Sequence, residues 1–247
     1  MQLTWLQDLN IPVTLATLSD AGAFLSHEHQ LYLADVLGKH EVQVDLSVPS
    51  LSVTGDHPLT CTAMHLLGSA APGPRSWLWS WANPSGFAPA ATGLAAWLRD
   101  FGSKHGIVEF TTAELPFAEL PGAPAEPGAA AWALVNAARA ASGCWTAYTA
   151  HAGGGTRVAF LIEHPDFQLP QPSGPRVMRV LQEGLAGAVH ISDRRLAVRG
   201  YAAGRGLKAV WSESSVALSA PGLDFSVEFD DLGRVITIGG KMSPAES

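Results

Sequence analysis

Regular patterning begins between Ser19 and Leu37, where Phe24 and Leu31 lie seven positions apart and Leu25, Tyr32 and Val36 widen the stripe. That spacing predicts an amphipathic helix, with Ser19 or Asp20 able to cap its first turn and Gly38 placed to end it. The period then changes. Val42, Val44, Leu46 and Val48 alternate with Gln43, Asp45 and Ser47, as in a half-buried strand, and Leu51–Val53 follows after Pro49 and Ser50. Two further strands are expected at about 60–67 and 76–82, joined by the turn-rich segment 68–75. Leu94, Trp97, Leu98 and Phe101 fall at i, i+3, i+4 and i+7 and predict a second helix, stopped by Gly102 or Gly106. A short strand at 107–110, a loop at 116–128, a helix at about 128–141 and paired strands at 144–150 and 156–162 around Gly153-Gly154-Gly155 follow.

Residues 164–175 carry four prolines and no periodicity. Residues 166–175 therefore read as a linker between a first domain, 1–165, and a smaller one, 176–247. In the latter, Val177, Val180, Leu181, Gly184, Leu185 and Ala188 draw a helical stripe, and strands are expected at about 195–201, 207–212, 215–220, 223–229 and 233–239. The predicted fold class is α+β: two helix-plus-antiparallel-sheet units, each with helices packed on one face of a curled sheet.

Composition narrows the possibilities further. The chain has 247 residues, 47% of them hydrophobic and 15% charged, which suits a packed core and excludes extensive disorder. No run approaches the ~18 apolar residues of a membrane span, and the opening MQLTWLQDLNIPV does not look like a secretory leader. A cytoplasmic protein is expected. Cys61 and Cys144 stand 83 positions apart without a CxxC, so neither a disulfide scaffold nor a zinc ribbon is expected. A net charge of −7 makes nucleic acid an unfavoured partner, although residues 176–208 alone hold seven basic residues against two acidic ones.

The most distinctive stretch is WLWSWANP at 77–84. On a strand, Trp77, Trp79 and Trp81 would share a face, either as core roofed by a helix or as a stacking floor for a ligand, with Asn83 held extended before Pro84. The order of Gly68-Ser69, this run, a helix, FGSKHGIVEFT, an Ala-rich helix and paired strands resembles an uncharacterised bacterial family, a domain of unknown function, over about residues 15–165. The resemblance implies the domain boundary and no chemistry.

Glu28 lies on both possible stripes of the first helix, so a core-facing carboxyl with a raised pKa, able to act as a general acid or base, is one expectation, and a residue at the stripe's edge or paired with a neighbour the other. His27 and His29 flank it but point about 200° apart on a helix, and no metal is expected there. Cys61 and His65 would share a strand face ~13 Å apart, too far for a nucleophile pair. The glycines of GYAAGRG at 200–206 precede a predicted strand and suggest no phosphate loop. Arg176 and Arg179 lie opposite the stripe of their helix, and Arg195, Arg199 and Tyr201 would share a strand face suited to an acidic partner.

These readings favour a non-enzymatic binding or interaction protein that engages a protein partner and needs no cofactor. The competing expectations are a small-ligand protein or enzyme with a Trp-lined pocket built from Trp77, Trp79, Trp81, Asn83, Glu28 and His65, and RNA binding by the arginine face.

Overall fold

The computed structural model describes residues 4–188 and 190–242. Residues 1–3 of the opening stretch, and 189 and 243–247 of the predicted second domain, lie outside the described residues. A short helix, α1 (Thr4–Asp8), precedes α2 (Leu15–Leu37). α2 starts earlier than its apolar stripe suggests. Thr17 N donates to the Thr14 hydroxyl at 3.1 Å and Thr14 N to the Thr17 hydroxyl at 2.9 Å, closing a capping box without the usual Glu or Gln. Asp20 is therefore an interior residue of the helix rather than its cap. Gly38 ends α2 as expected, with φ 55°.

β1 (His40–Asp45), β2 (Ser50–Gly55) and β3 (Leu59–Thr60) form a small antiparallel sheet in that order. β1 stops short of the predicted Val48. The Asp45 carboxylate accepts from Ser47 N (2.8 Å) and Val48 N (3.2 Å), turning the chain and leaving Val48 exposed. Next come β4 (Ala63–Ala71) and β5 (Ser76–Trp79), then α3 (Pro89–His105) and the single-turn α4 (Val108–Thr111) in place of the predicted short strand. The edge-strand role passes to β6 (Glu114–Pro116), which pairs with β5. α5 (Pro127–Ser142), β7 (Ala147–His151) and β8 (Arg157–Glu163) complete an antiparallel sheet of order β6-β5-β4-β8-β7.

The segment 166–175 is tied down: Phe167 is buried, and the Pro170 carbonyl accepts from Arg205 Nη2 at 2.7 Å. α6 (Gly174–Glu183) runs into a π-helical turn at Gly184–Ala188. The predicted strand at 195–201 is instead a second helix, α7 (Arg194–Arg205), so two helices precede the meander where the pattern predicts one. Asp193 Oδ1 accepts from Leu196 N at 2.9 Å and caps α7. Leu196 and Val198 imitate a period of two, but Leu196, Ala197, Gly200 and Tyr201 are buried at helical spacing. β9 (Lys208–Trp211), β10 (Ser215–Ala220), β11 (Leu223–Phe229) and β12 (Val235–Met242) make the antiparallel sheet β12-β11-β10-β9. In β11 burial alternates from Leu223 to Phe229 without exception, as the sequence pattern requires.

The fold is thus mixed α+β, with antiparallel sheets and helices packed against them. α2 is its spine. Leu15 and Leu18 join the core between the five-stranded sheet, α3 and α5; Phe24 and Leu25 join the core of the four-stranded sheet; Leu33 and Leu37 join the core under β1–β3. Neighbouring helices approach it closely. A Cβ on Gly22 would lie 3.1 Å from Ala140 Cβ in α5, and one on Gly200 would collide with the Ala21 carbonyl. Of the glycines of GYAAGRG, Gly200 and Gly204 therefore serve helix packing, while Gly206, at φ 64°, ends α7.

Candidate functional site

The wall of α5 is almost wholly apolar: PGAAAWALVNAARAAS contains one charged residue, Arg139. Trp132, Asn136 and Arg139 follow one another at i, i+4 and i+7 and lie on one face. This face and the Ser26–Gln30 face of α2 border an open cavity of about 570 Å³, also lined by Pro121, Gly122 and Pro124 and by His190 and Ser192. Its size falls in the usual range for small-molecule sites.

Arg139 lines this cavity yet is only 1% exposed. Its Nη1 donates to the Ser26 carbonyl at 3.1 Å and its Nη2 to Gln30 Oε1 at 2.9 Å, while the guanidinium lies 5.2 Å from the centre of the Trp132 ring. Among the described residues no carboxylate pairs with it, and its Nε and the buried Ser26 hydroxyl have no partner. Burial lowers the Arg139 pKa to about 9, which leaves it cationic at neutral pH. On the opposite wall, Asp20 is already satisfied. It accepts from Ser192 N (2.8 Å), Ser192 Oγ (3.0 Å) and Asp193 N (2.9 Å), fixing the entry to α7. His27 is bound 2.9 Å from Glu183.

The other face of α2 carries a different cluster. Glu28 is fully buried, accepts from the Tyr201 hydroxyl at 2.9 Å and lies 3.0 Å from Arg205 Nε, although that N–H is out of line for a hydrogen bond. Burial raises the Glu28 carboxyl, and Arg205, Tyr201 and Arg176 pull it partly back. Next to it His29 stacks on Trp145 and is pushed down to about 3 by burial, Arg139 and Arg205. A smaller cavity of about 300 Å³ borders His29 and Cys144. Burial, with help from Glu163, pushes the Cys144 thiol up to about 12, so it stays protonated and is a poor nucleophile.

The remaining residues singled out from sequence are scattered. Trp77 and Trp79 are wholly buried and meet edge to face, with Trp79 Nε1 donating to the Glu109 carbonyl at 2.9 Å. Their strand ends there, because the buried Ser80 hydroxyl donates to the Leu66 carbonyl and Ser80–Ala82 coil into a 3-10 turn. Trp81 consequently leaves the shared face expected of the three indoles and packs half-buried under Arg99. Asn83 Oδ1 accepts from Ser85 N in the following turn. His65 lies 3.0 Å from Glu163. Neither the three tryptophans nor Asn83 nor His65 borders the two cavities above.

Nor do the basic residues form one surface. Arg176 pairs with Asp35, Arg179 with Glu183, and Tyr201 points inward to Glu28. Arg195 and Arg199, one helical turn apart on α7, both lie over the Trp211 ring, at 5.7 and 3.9 Å. Tyr201 leaves their face because this segment is helical.

Among the described residues, no three His, Cys, Asp or Glu side chains gather as a metal site, and no helix is long and apolar enough to cross a membrane. Neither a curated protein nor a solved structure matches the chain significantly. A family model described as a family of unknown function (DUF6882) matches residues 16–165, which include both helices bordering the larger cavity. With more than half of its length matched, the chain belongs to DUF6882, a family of unknown function.

Proposed function

We propose that the protein is a non-enzymatic binding protein and that the cavity between α2 and α5 receives a small ligand through an anionic group. One observation carries this reading: Arg139 is buried at the cavity wall with no carboxylate among the described residues to offset it. A buried charge normally has a partner, because losing water around an ion costs several kcal/mol. Here the neutral acceptors and the Trp132 face hold the guanidinium in place and leave part of its donor set unused. A ligand anion would supply the missing half of the pair.

The test is thermal shift against a panel of small organic carboxylates, phosphates and sulfonates. At least one class should raise the midpoint saturably in the wild type and fail to do so in Ala133→Trp, which fills the cavity. If no member of the panel shifts the wild type, the reading falls.

A protein partner at the basic segment is the second reading. It rests on Arg199 over Trp211, with Arg195 beside the same ring donating to the Ser212 and Glu213 carbonyls, since Arg176 and Arg179 are held by ion pairs. An acidic partner should lose affinity on Arg199→Ala and be insensitive to Arg139→Gln.

A further inference from the structure

The charges and surfaces of the cavity restrict the ligand further. Among the described residues its one deeply buried cation is Arg139. The other basic groups on its wall are His27, already bound to Glu183, and the exposed His190. Asp20 adds a carboxylate on the opposing wall, and its oxygens are taken up by Ser192 and Asp193. Arg139 also stands in the last turn of α5, the end of a helix that carries partial negative charge. A dianion would therefore find one cation, one opposing carboxylate and an unfavourable dipole. A single negative charge is matched.

The donors left over have a definite shape. Arg139 Nε is free, and each Nη nitrogen has a second N–H besides the one used toward Ser26 or Gln30. Adjacent N–H groups in one plane suit the two oxygens of a carboxylate, and the hydroxyl of Ser26, which also lines the cavity, is a further donor without a partner.

Beyond this polar end the α5 wall becomes apolar. From Arg139 back to Ala129 is ten residues, about 15 Å of helix, and past Asn136 the lining there is Ala133, Trp132 and Ala129, continued by Pro124 and Pro121. Such a surface gains from covering hydrocarbon and offers few polar groups to a sugar or a nucleotide.

We infer that the ligand is an amphipathic monocarboxylate, its carboxylate paired with Arg139 and its apolar body lying along Trp132, Ala133 and Ala129; this rests on the reading of the cavity as a ligand site. The carboxylate at Arg139 would complete a buried ion pair, and the hydrocarbon would displace water from the apolar wall.

The test is isothermal titration of the full chain with octanoate, with 1-octanol as the uncharged counterpart and inorganic phosphate as the compact anion. Octanoate should bind at one site, and both 1-octanol and the Arg139→Gln variant should weaken binding by about tenfold or more. Ala133→Trp should abolish binding, while Arg99→Ala, on α3 and outside the cavity lining, should leave it unchanged. If 1-octanol binds as well as octanoate, or phosphate binds and octanoate does not, the monocarboxylate assignment is overturned and the cavity reading survives. If octanoate fails while the phosphates or sulfonates of the thermal-shift panel succeed, the monocarboxylate is likewise overturned and the cavity remains an anion site. Octanoate binding that is indifferent to both Arg139→Gln and Ala133→Trp overturns the assignment outright.

Discussion

Two buried ionic groups lie against opposite faces of the same helix, α2, and are treated differently. Glu28 faces the second part of the chain, where Tyr201 donates to it and Arg205 stands 3.0 Å away. Arg139 faces α2 from α5, is buried to the same degree, and among the described residues meets only a backbone carbonyl, an amide oxygen and an indole face. Both arrangements cost desolvation. The first recovers part of it inside the chain and so fastens α7 to α2; the second leaves the recovery to something outside. Pairing marks architecture, and its lack in a roomy cavity marks a site.

This contrast is most sharply broken by cutting the paired group. Glu28→Ala leaves Arg205 beside an emptied apolar space and Tyr201 without its acceptor, and should destabilise the protein by about 3–5 kcal/mol in urea unfolding. A loss below about 1 kcal/mol would mean that the cluster fastens nothing. The next largest effect belongs to the helix crossing that brings Tyr201 and Arg205 into place. Gly200→Ala sets a methyl against the Ala21 carbonyl, and because backbone faces it, relief requires the helices to separate. We expect about 2–4 kcal/mol. Gly128→Ala, near the start of α5 where a Cβ meets nothing, is the control and should be close to neutral.

The proposed division into 1–165, 166–175 and 176–247 is exposed to the same logic. Phe24, Leu25 and Glu28 lie within the family match but bury themselves against the C-terminal elements. Residues 1–165 expressed alone should therefore be less stable and should bind more of a hydrophobic dye than the full chain.

His29 sits near both ionic groups and gives the contrast a pH signature. Burial, Arg139 and Arg205 hold its imidazole well below the ordinary 6.5, at about 3. The unfolded chain then binds the extra proton first, so this group's contribution is complete above pH 6.5 and is lost as pH falls toward 3. Between pH 6.5 and 5 the loss amounts to about 2 kcal/mol. Glu28 acts with the opposite sign: its carboxyl is raised, so its neutral form contributes below the ordinary 4.5 and the contribution fades as pH climbs through its folded value. The difference between the wild type and His29→Phe, which retains a ring against Trp145, isolates the histidine. That difference should grow as pH drops below 6.5; a flat difference curve would show that folded His29 takes up its proton as readily as the unfolded chain.

Much of the architecture is legible in the sequence because it follows from apolar periodicity. β11 alternates in sequence and in burial, and Gly38 and Gly143 end the helices they follow. α7 reads as a strand and a turn because its interior glycines look like turn residues until another helix is known to press on them. Trp81 leaves the face that a period of two assigns it because Ser80 diverts the chain through a hydrogen bond to Leu66, a long-range partner invisible in the local pattern. The cavity is hidden for a related reason. Its walls come from α2, the 121–124 loop, α5 and the 190–192 segment, and no local motif joins them. One signal does point to it: a lone arginine in an alanine-rich helix, in register with Trp132 and Asn136.

Of the two buried ionic groups, the smaller stability effect is expected at that arginine, and its smallness is what matters. Arg139→Met keeps much of the side chain's volume and apolar stem while removing a charge that the fold does not neutralise. The Gln30 amide and Ser26 carbonyl each lose a charged donor, worth about 1.5–3 kcal/mol apiece, and relief from ion desolvation, which is of similar size, offsets that loss. The net change should lie within about 1 kcal/mol of zero, against the several expected for Glu28→Ala, when both are measured by urea unfolding without added ligand. With saturating octanoate the wild type should gain stability by mass action and the Arg139→Met variant should not, so that the two proteins diverge only when the anion is present. A loss of about 3 kcal/mol or more in the ligand-free variant would place Arg139 with Glu28, among the groups the fold itself requires.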